Sequence, residues 1–135
     1  AQMEQLRKVM LNEYGKGNYV VAGGDWNLNP PLYRYYKINN GDLGIEIEPE
    51  FEQDFFPEGW YWAFYRYTPT NRSLLEPYLR SRTNTTVIDF FIISPNIRYT
   101  DLYTLDLGFE NSDHHPVIMK VVLDGLQGKS ASEQP

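Results

Sequence analysis

The chain has 135 residues with a formal net charge of -6, 41% apolar and 16% aromatic residues, and no cysteine. That length holds one domain at most, enough to bury roughly two-thirds of the surface the unfolded chain exposes, and the apolar share excludes wholesale disorder. Disulfides, thiolate metal sites and cysteine nucleophiles are excluded, and the sequence has no apolar run of the roughly 18 residues that a membrane helix needs. The sequence does not fix a compartment.

The charge is unevenly spread. Asp42, Glu46, Glu48, Glu50, Glu52, Asp54 and Glu58 follow one another with no base between them, whereas Arg66, Arg72, Arg80, Arg82 and Arg98 meet only Glu76 and Asp89 from Gly59 to Arg98. A basic stretch of this kind is either a solvated face or a ridge that contacts phosphate.

In chain order, Met3, Leu6, Val9, Met10 and Tyr14 recur at helical spacing, and Gly15 and Gly17 follow, so an amphipathic helix ending near Tyr14 is predicted. Tyr19 to Ala22 is a short apolar run closed by Gly23-Gly24 and predicts a buried strand. Asp25-Trp26-Asn27 then projects a carboxylate and an amide from that strand's carboxyl end, where an Asx turn is the competing role for the pair. From Leu32 to Asp54 the pattern predicts loop with one edge strand. Phe55 to Tyr67 has the look of an aromatic insertion over the surface, in which Trp60, Trp62 and Tyr65 either pack a loop or form a lid or stacking platform.

Thr68 to Ser73 carries turn chemistry, and Leu74, Leu75, Tyr78 and Leu79 predict a short helix. Thr83 to Thr86 is expected to be polar loop. Val87 to Ile93 is the most hydrophobic strand, and the one charge inside it, Asp89, demands a partner because an unpaired buried carboxylate is costly. His114 is the candidate. Ile97 to Leu105 predicts a further strand, and Val117 to Leu123 a last one with one apolar and one mostly apolar face. Residues 125–135 are small and polar and are expected to be a disordered tail.

Between those last two strands lies Asn111-Ser112-Asp113-His114-His115-Pro116-Val117, which holds both histidines of the chain. An imidazole titrating near neutrality, with a carboxylate beside it at a strand mouth, suits hydrolytic chemistry. Three polar clusters therefore stand at strand ends in one order: Gly24-Asp25-Trp26-Asn27, then Ile88-Asp89-Phe90, then Ser112-Asp113-His114-His115-Pro116.

This ordered trio resembles the signatures of the endonuclease/exonuclease/phosphatase superfamily, over Tyr19 to Leu123. The resemblance implies an α/β (α+β) domain, 1–124, forming the C-terminal half of a four-layer α/β/β/α sandwich with a mostly antiparallel mixed sheet flanked by helix. It implies a metal-dependent phosphoesterase, a hydrolase or nuclease acting on a phosphodiester or phosphomonoester, with Mg²⁺ or Mn²⁺ as cofactor. Asp25 would position or deprotonate the attacking water, Asn27 would hydrogen-bond the phosphate, and Asp113 would contact the metal. His114 would meet a phosphoryl oxygen, with Asp89 orienting it; His115 falls on the variable position of the motif and is given no role. Arg72 and Trp60 are the candidate substrate contacts.

The family's asparagine and main metal-ligating glutamate, which come from its N-terminal half, have no counterpart before Asp25. The expectation is thus a fragment that is inactive alone, with a phosphate-ester substrate (nucleic acid, lipid or inositol phosphate) and the missing half as partners. A homo-oligomer formed through an uncovered sheet face is also expected. The rival from another class is a noncatalytic binding or scaffold module that keeps the fold.

Overall fold

The computed structural model describes residues 1–33, 49–80 and 82–123. A helix and three antiparallel sheets make the described fold α+β, the class expected from the sequence. Part of the predicted loop and edge strand from Leu32 to Asp54, including Asp42, Glu46 and Glu48, and the tail 125–135 lie outside the described residues.

Helix α1 covers Gln2–Gly15 and ends where Gly17, at φ 89°, turns the chain and donates its N–H to Tyr14 O. Its inner face buries Met10 and sets the ring of Tyr14 edge-on against Trp60, with centroids 5.5 Å apart. The guanidinium of Arg7 donates to Phe55 O and ties the helix to the next layer.

Strand β1 is Val21–Asp25, displaced along the chain from the predicted Tyr19 to Ala22. It lies at the edge of a sheet ordered β1-β5-β2, with β2 at Tyr61–Ala63 and β5 at Asp89–Ile93. The expectation of a buried strand fails here: Val21 is 47% exposed, because β1 is an edge strand with a neighbour on one side only and its own Gly23 and Gly24 add no side chains to cover it. Gly23 is needed for close approach, since a Cβ there would meet the Phe91 ring at 2.4 Å.

The aromatic stretch is likewise not a surface insertion. Tyr61–Ala63 pairs with β5, Tyr61 opposite Ile93 and Ala63 opposite Phe91, so β2 is part of the main sheet. Behind it Phe51 collects Trp26, Phe55, Trp62 and Phe90 at centroid distances of 5.8, 5.4, 4.9 and 6.2 Å. Phe56 stacks on Trp60 at 4.9 Å. Such rings bury large areas in edge-to-face and offset contacts, and they form the core between α1 and the sheet.

Strands β3 (Asn71–Arg72) and β4 (Thr85–Thr86) form a two-stranded ladder, so part of the predicted polar loop at Thr83 to Thr86 is paired. The predicted helix at Leu74 to Leu79 is absent. Leu75 is 95% exposed, Pro77 interrupts the segment, and Ser73 Oγ instead accepts the Leu75 N–H, a local bond that competes with helix. β6 (Ile97–Thr104) and β7 (Val117–Leu123) form a hairpin-like pair with a bulge between Tyr99 and Asp101. The loop between them carries the two histidines.

Candidate functional site

Three segments far apart in sequence meet where β1 ends and β5 begins. Antiparallel register puts Asp25, the last residue of β1, directly opposite Asp89, the first of β5. Two like charges side by side on a sheet repel, so the pair needs a cation or a proton donor nearby. His114 supplies one. Its Nδ1 lies 2.8 Å from Asp89 Oδ2, and its Nε2 lies 3.8 Å from Asp25 Oδ2 and 3.9 Å from Asp113 Oδ2.

The loop holding His114 is fixed from both sides. Its backbone N–H donates to Ser112 Oγ at 3.1 Å, and it forms an isolated antiparallel bridge with Asn71 of β3. Arg72 N–H donates to Asp113 O at 3.0 Å, and His115 N–H donates to Thr70 O at 2.8 Å. Thr70 is fully buried, and its hydroxyl oxygen accepts the backbone N–H groups of Ile88 and Asp89, which pins the start of β5.

His115 faces inward. It stacks on Phe109 with ring centroids 3.7 Å apart, Nδ1 donates to Pro69 O at 2.8 Å, and Nε2 accepts the Phe109 N–H at 3.1 Å. Both nitrogens are thereby satisfied in the neutral form, so His115 is a clamp between two loops, whereas His114 faces the opening.

Electrostatics differ within the cluster. Burial pushes the Asp89 carboxyl above its ordinary value, against the downward pull of hydrogen bonds from His114 and Thr70 and the charge of His114; the Asp25 charge adds to the rise. Burial pushes the His114 imidazole down, but the hydrogen bond and charge of Asp89, with Asp113 and Asp25 behind it, outweigh burial and leave it raised. One contact works the other way: Asn71 Nδ2, a donor, sits 3.1 Å from Nε2.

The donors suit a divalent cation. Asp25, Asp89 and His114 each offer an atom within 4.8 Å of the others, and the Asp113 carboxylate borders the same opening. Ligands about 2.0–2.6 Å from one hard ion are separated by distances of this order. Carboxylate oxygens outnumber the imidazole nitrogen in this set, a mix compatible with a hard cation such as Mg²⁺ or Mn²⁺, and the bond from His114 Nδ1 to Asp89 turns Nε2, which Asn71 also approaches, toward Asp25 and Asp113.

Of the residues singled out from sequence, Asp25, Asp89, Asp113 and His114 come together. Asn27 stands at φ 51° with its side chain exposed, and its N–H donates to Asp25 Oδ1 at 2.9 Å, the Asx turn that competes with a phosphate contact. Trp60 is not brought to the cluster. It is 8% exposed, stacked in the aromatic core, and precedes β2 at the Ile93 end of β5, opposite the Asp89 end. Arg72 is also turned aside, since neighbouring strand residues point to opposite faces and Asn71 takes the face toward His114. Its guanidinium donates to Ser73 O. Arg80, from the same basic stretch, is paired with Asp106 at 2.9 Å.

Thr70 and Asn71 were missed by sequence reasoning, where Thr68 to Ser73 is only turn chemistry. The one available signal was the placement of a polar pair ahead of the hydrophobic strand whose lone charge needed support. Comparison with protein-family models, with curated proteins and with solved structures finds no match to this chain. No helix among the described residues is long and apolar enough to cross a membrane.

Proposed function

We propose that this chain carries one side of the active site of a metal-dependent phosphoesterase. The observation that supports the reading is the convergence of Asp25, Asp89, Asp113 and His114, drawn from three distant segments, at one opening. Phosphoester hydrolysis requires an oriented water, positive charge against the phosphate, and a donor where negative charge grows. Asp25, with its carboxylate 40% exposed, holds or deprotonates the water. His114 Nε2 meets a phosphoryl oxygen, and Asp89 keeps the ring oriented from Nδ1. Asp113, with Asp25 and His114 beside it, would hold the divalent ion, which when bound neutralises phosphate charge.

The main glutamate ligand that the family resemblance calls for has no matching motif before Asp25. Exposed Leu6, Val9 and Val21 on α1 and β1 mark the side on which further protein, from the same polypeptide or a second copy, would complete the site.

Hydrolysis of bis-p-nitrophenyl phosphate by the full-length protein, with Mg²⁺ and with chelator, tests the reading. The expected result is chelator-sensitive turnover that His114→Ala lowers about 10²–10³-fold, the loss typical of one removed transition-state donor. Turnover no higher than background in both conditions would overturn it in favour of a binding module. Metal binding has its own readout: Mn²⁺ should broaden the NMR signals of His114 and Asp113 before those of the core.

A further inference from the structure

Asn71 has no role in the reading above, yet its side chain touches the residue at the centre of it. The carboxamide nitrogen lies 3.2 Å from Asp113 O and 3.1 Å from His114 Nε2. A backbone carbonyl only accepts, so the bond to Asp113 O decides which end of the amide faces the loop: the NH₂, not the oxygen. Of its two hydrogens one goes to Asp113 O, and the other points at Nε2.

A donor aimed at Nε2 requires a lone pair there. The proton of the neutral imidazole must then sit on Nδ1, where Asp89 Oδ2 accepts it at 2.8 Å. Two contacts at opposite edges of the ring therefore specify the same tautomer. Either alone would leave the ring able to pivot; together they also fix its plane.

The backbone makes Asn71 a rigid source of that contact. It opens β3, pairs with Thr86 in the ladder and with His114 in the isolated bridge, and lies between two anchored residues. Thr70 is held through Thr86 O and the His115 N–H, and Arg72 through Asp113 O. The side chain has a short stem and few rotamers, so a fixed backbone places its amide closely.

We propose that Asn71 is a positioning residue: it sets the tautomer of His114 and aims Nε2 at the space between Asp25 and Asp113. Its use in catalysis rests on the phosphoesterase reading. With Nδ1–H committed to Asp89 and the ring plane held, Nε2 is the one ring atom at which His114 can take up a proton, and the Nε2–H so formed, released from Asn71, is the donor that a phosphoryl oxygen requires.

Long-range ¹H–¹⁵N spectra of the labelled chain near pH ~9.5, well above the ordinary imidazole value of about 6.5, report the tautomer with no substrate or metal present. The wild type should show a protonated Nδ1 and a bare Nε2 for His114. His115, whose Nδ1 and Nε2 are bound to Pro69 O and the Phe109 N–H, gives the same pattern and serves as the internal standard for folding. Asn71→Leu removes the donor and should shift His114 toward a mixture containing the Nε2–H form. Asn71→Asp keeps the size but offers an acceptor, and should protonate Nε2. His115 should be unchanged in both. In the phosphodiester assay the same variants should lower kcat about 10–100-fold with KM little altered, the loss expected for a misaimed group.

A wild-type His114 carrying its proton on Nε2 would overturn the assignment, as would both variants keeping the wild-type His114 pattern. The expected tautomers without any chelator-sensitive hydrolysis would uphold the role of Asn71 at His114 and defeat the phosphoesterase reading. Hydrolysis with tautomers indifferent to residue 71 would do the reverse.

Discussion

The two faces of β5 hold the molecule together in different ways. Phe90 and Ile92 point into the aromatic cluster with Trp26, Phe51, Trp60 and Trp62, where each ring has several neighbours and shape alone decides the packing. Asp89, Phe91 and Ile93 take the other face, and there the strand begins with a carboxylate held by two polar partners, His114 and Thr70, against the like charge of Asp25 across the ladder. Losing one partner on the first face leaves a void that others partly fill. On the second face, by contrast, each hydrogen bond is specific, so a loss there redirects a side chain.

The largest expected effect tests the first face. Trp60→Ala removes a buried ring that stacks on Phe56 and meets Tyr14, and large aromatic truncations of this kind cost about 3–5 kcal/mol. Urea denaturation should show that loss, and a change below about 0.5 kcal/mol would contradict a core role. The neighbouring histidines give a sharper contrast. His115→Ala strands Pro69 O and the Phe109 N–H in a buried position, and orphaned groups cost about 1–3 kcal/mol each. His114→Ala should cost less stability by the same measurement while removing activity. Equal losses would mean that the inward and outward placements of the two rings are misassigned.

Much of this division was legible in the sequence, and the failures have physical causes. A lone Asp in a hydrophobic strand announced a partner, and an Asp-His pair at a strand mouth was a credible one, because burying charge leaves few alternatives. β2 was not legible: Tyr61, Trp62 and Ala63 lack polar alternation, since one side packs on the core while Tyr61 stacks on Tyr99 at 5.2 Å on the other. The limits of β1 were hidden by Gly23-Gly24, which reads as a boundary but is paired strand that makes room for the Phe91 ring. The leucines at 74, 75 and 79 had helical spacing but no surface to cover. For Asn71 the signal was too weak to use, because one asparagine in a turn-rich stretch does not say which side chain it will face across a bridge formed 43 residues away.

Gly23 joins the two faces and offers a smaller test. Gly23→Ala drives a methyl into the Phe91 ring, and overpacking typically costs about 1–3 kcal/mol. Because Gly23 and Asp25 lie on the same face of β1, the push should move the Asp25 carboxylate as well. A denaturation midpoint lowered together with altered His114 NMR shifts is expected. A lower midpoint with the His114 signals unmoved would show that the strand bends locally, leaving the site insulated from its own scaffold.

The least disruptive probe changes only pH. The folded His114 imidazole titrates above its ordinary value, because Asp89, Asp113 and Asp25 together outweigh its burial. A base with a raised folded value binds more protons folded than unfolded in that window, so its stabilising effect is complete below about pH 6.5 and is lost as pH rises through the folded value. Asp89, also raised, acts in the same direction at lower pH: its folded form holds its proton longer, and stability declines as pH climbs above the ordinary carboxyl range. Between pH 6 and 9 the raised His114 imidazole is the group expected to carry this fall. The wild-type denaturation midpoint should therefore fall across that window, and His114→Gln, which keeps a hydrogen-bonding side chain but cannot titrate, should flatten the slope. Asn71 opposes the imidazolium by presenting an N–H to Nε2, so Asn71→Asp should steepen the fall instead and carry it to higher pH. If His114→Gln leaves the wild-type slope intact, the carboxylates do not act on that ring, and the polar face of β5 is held by geometry without charge.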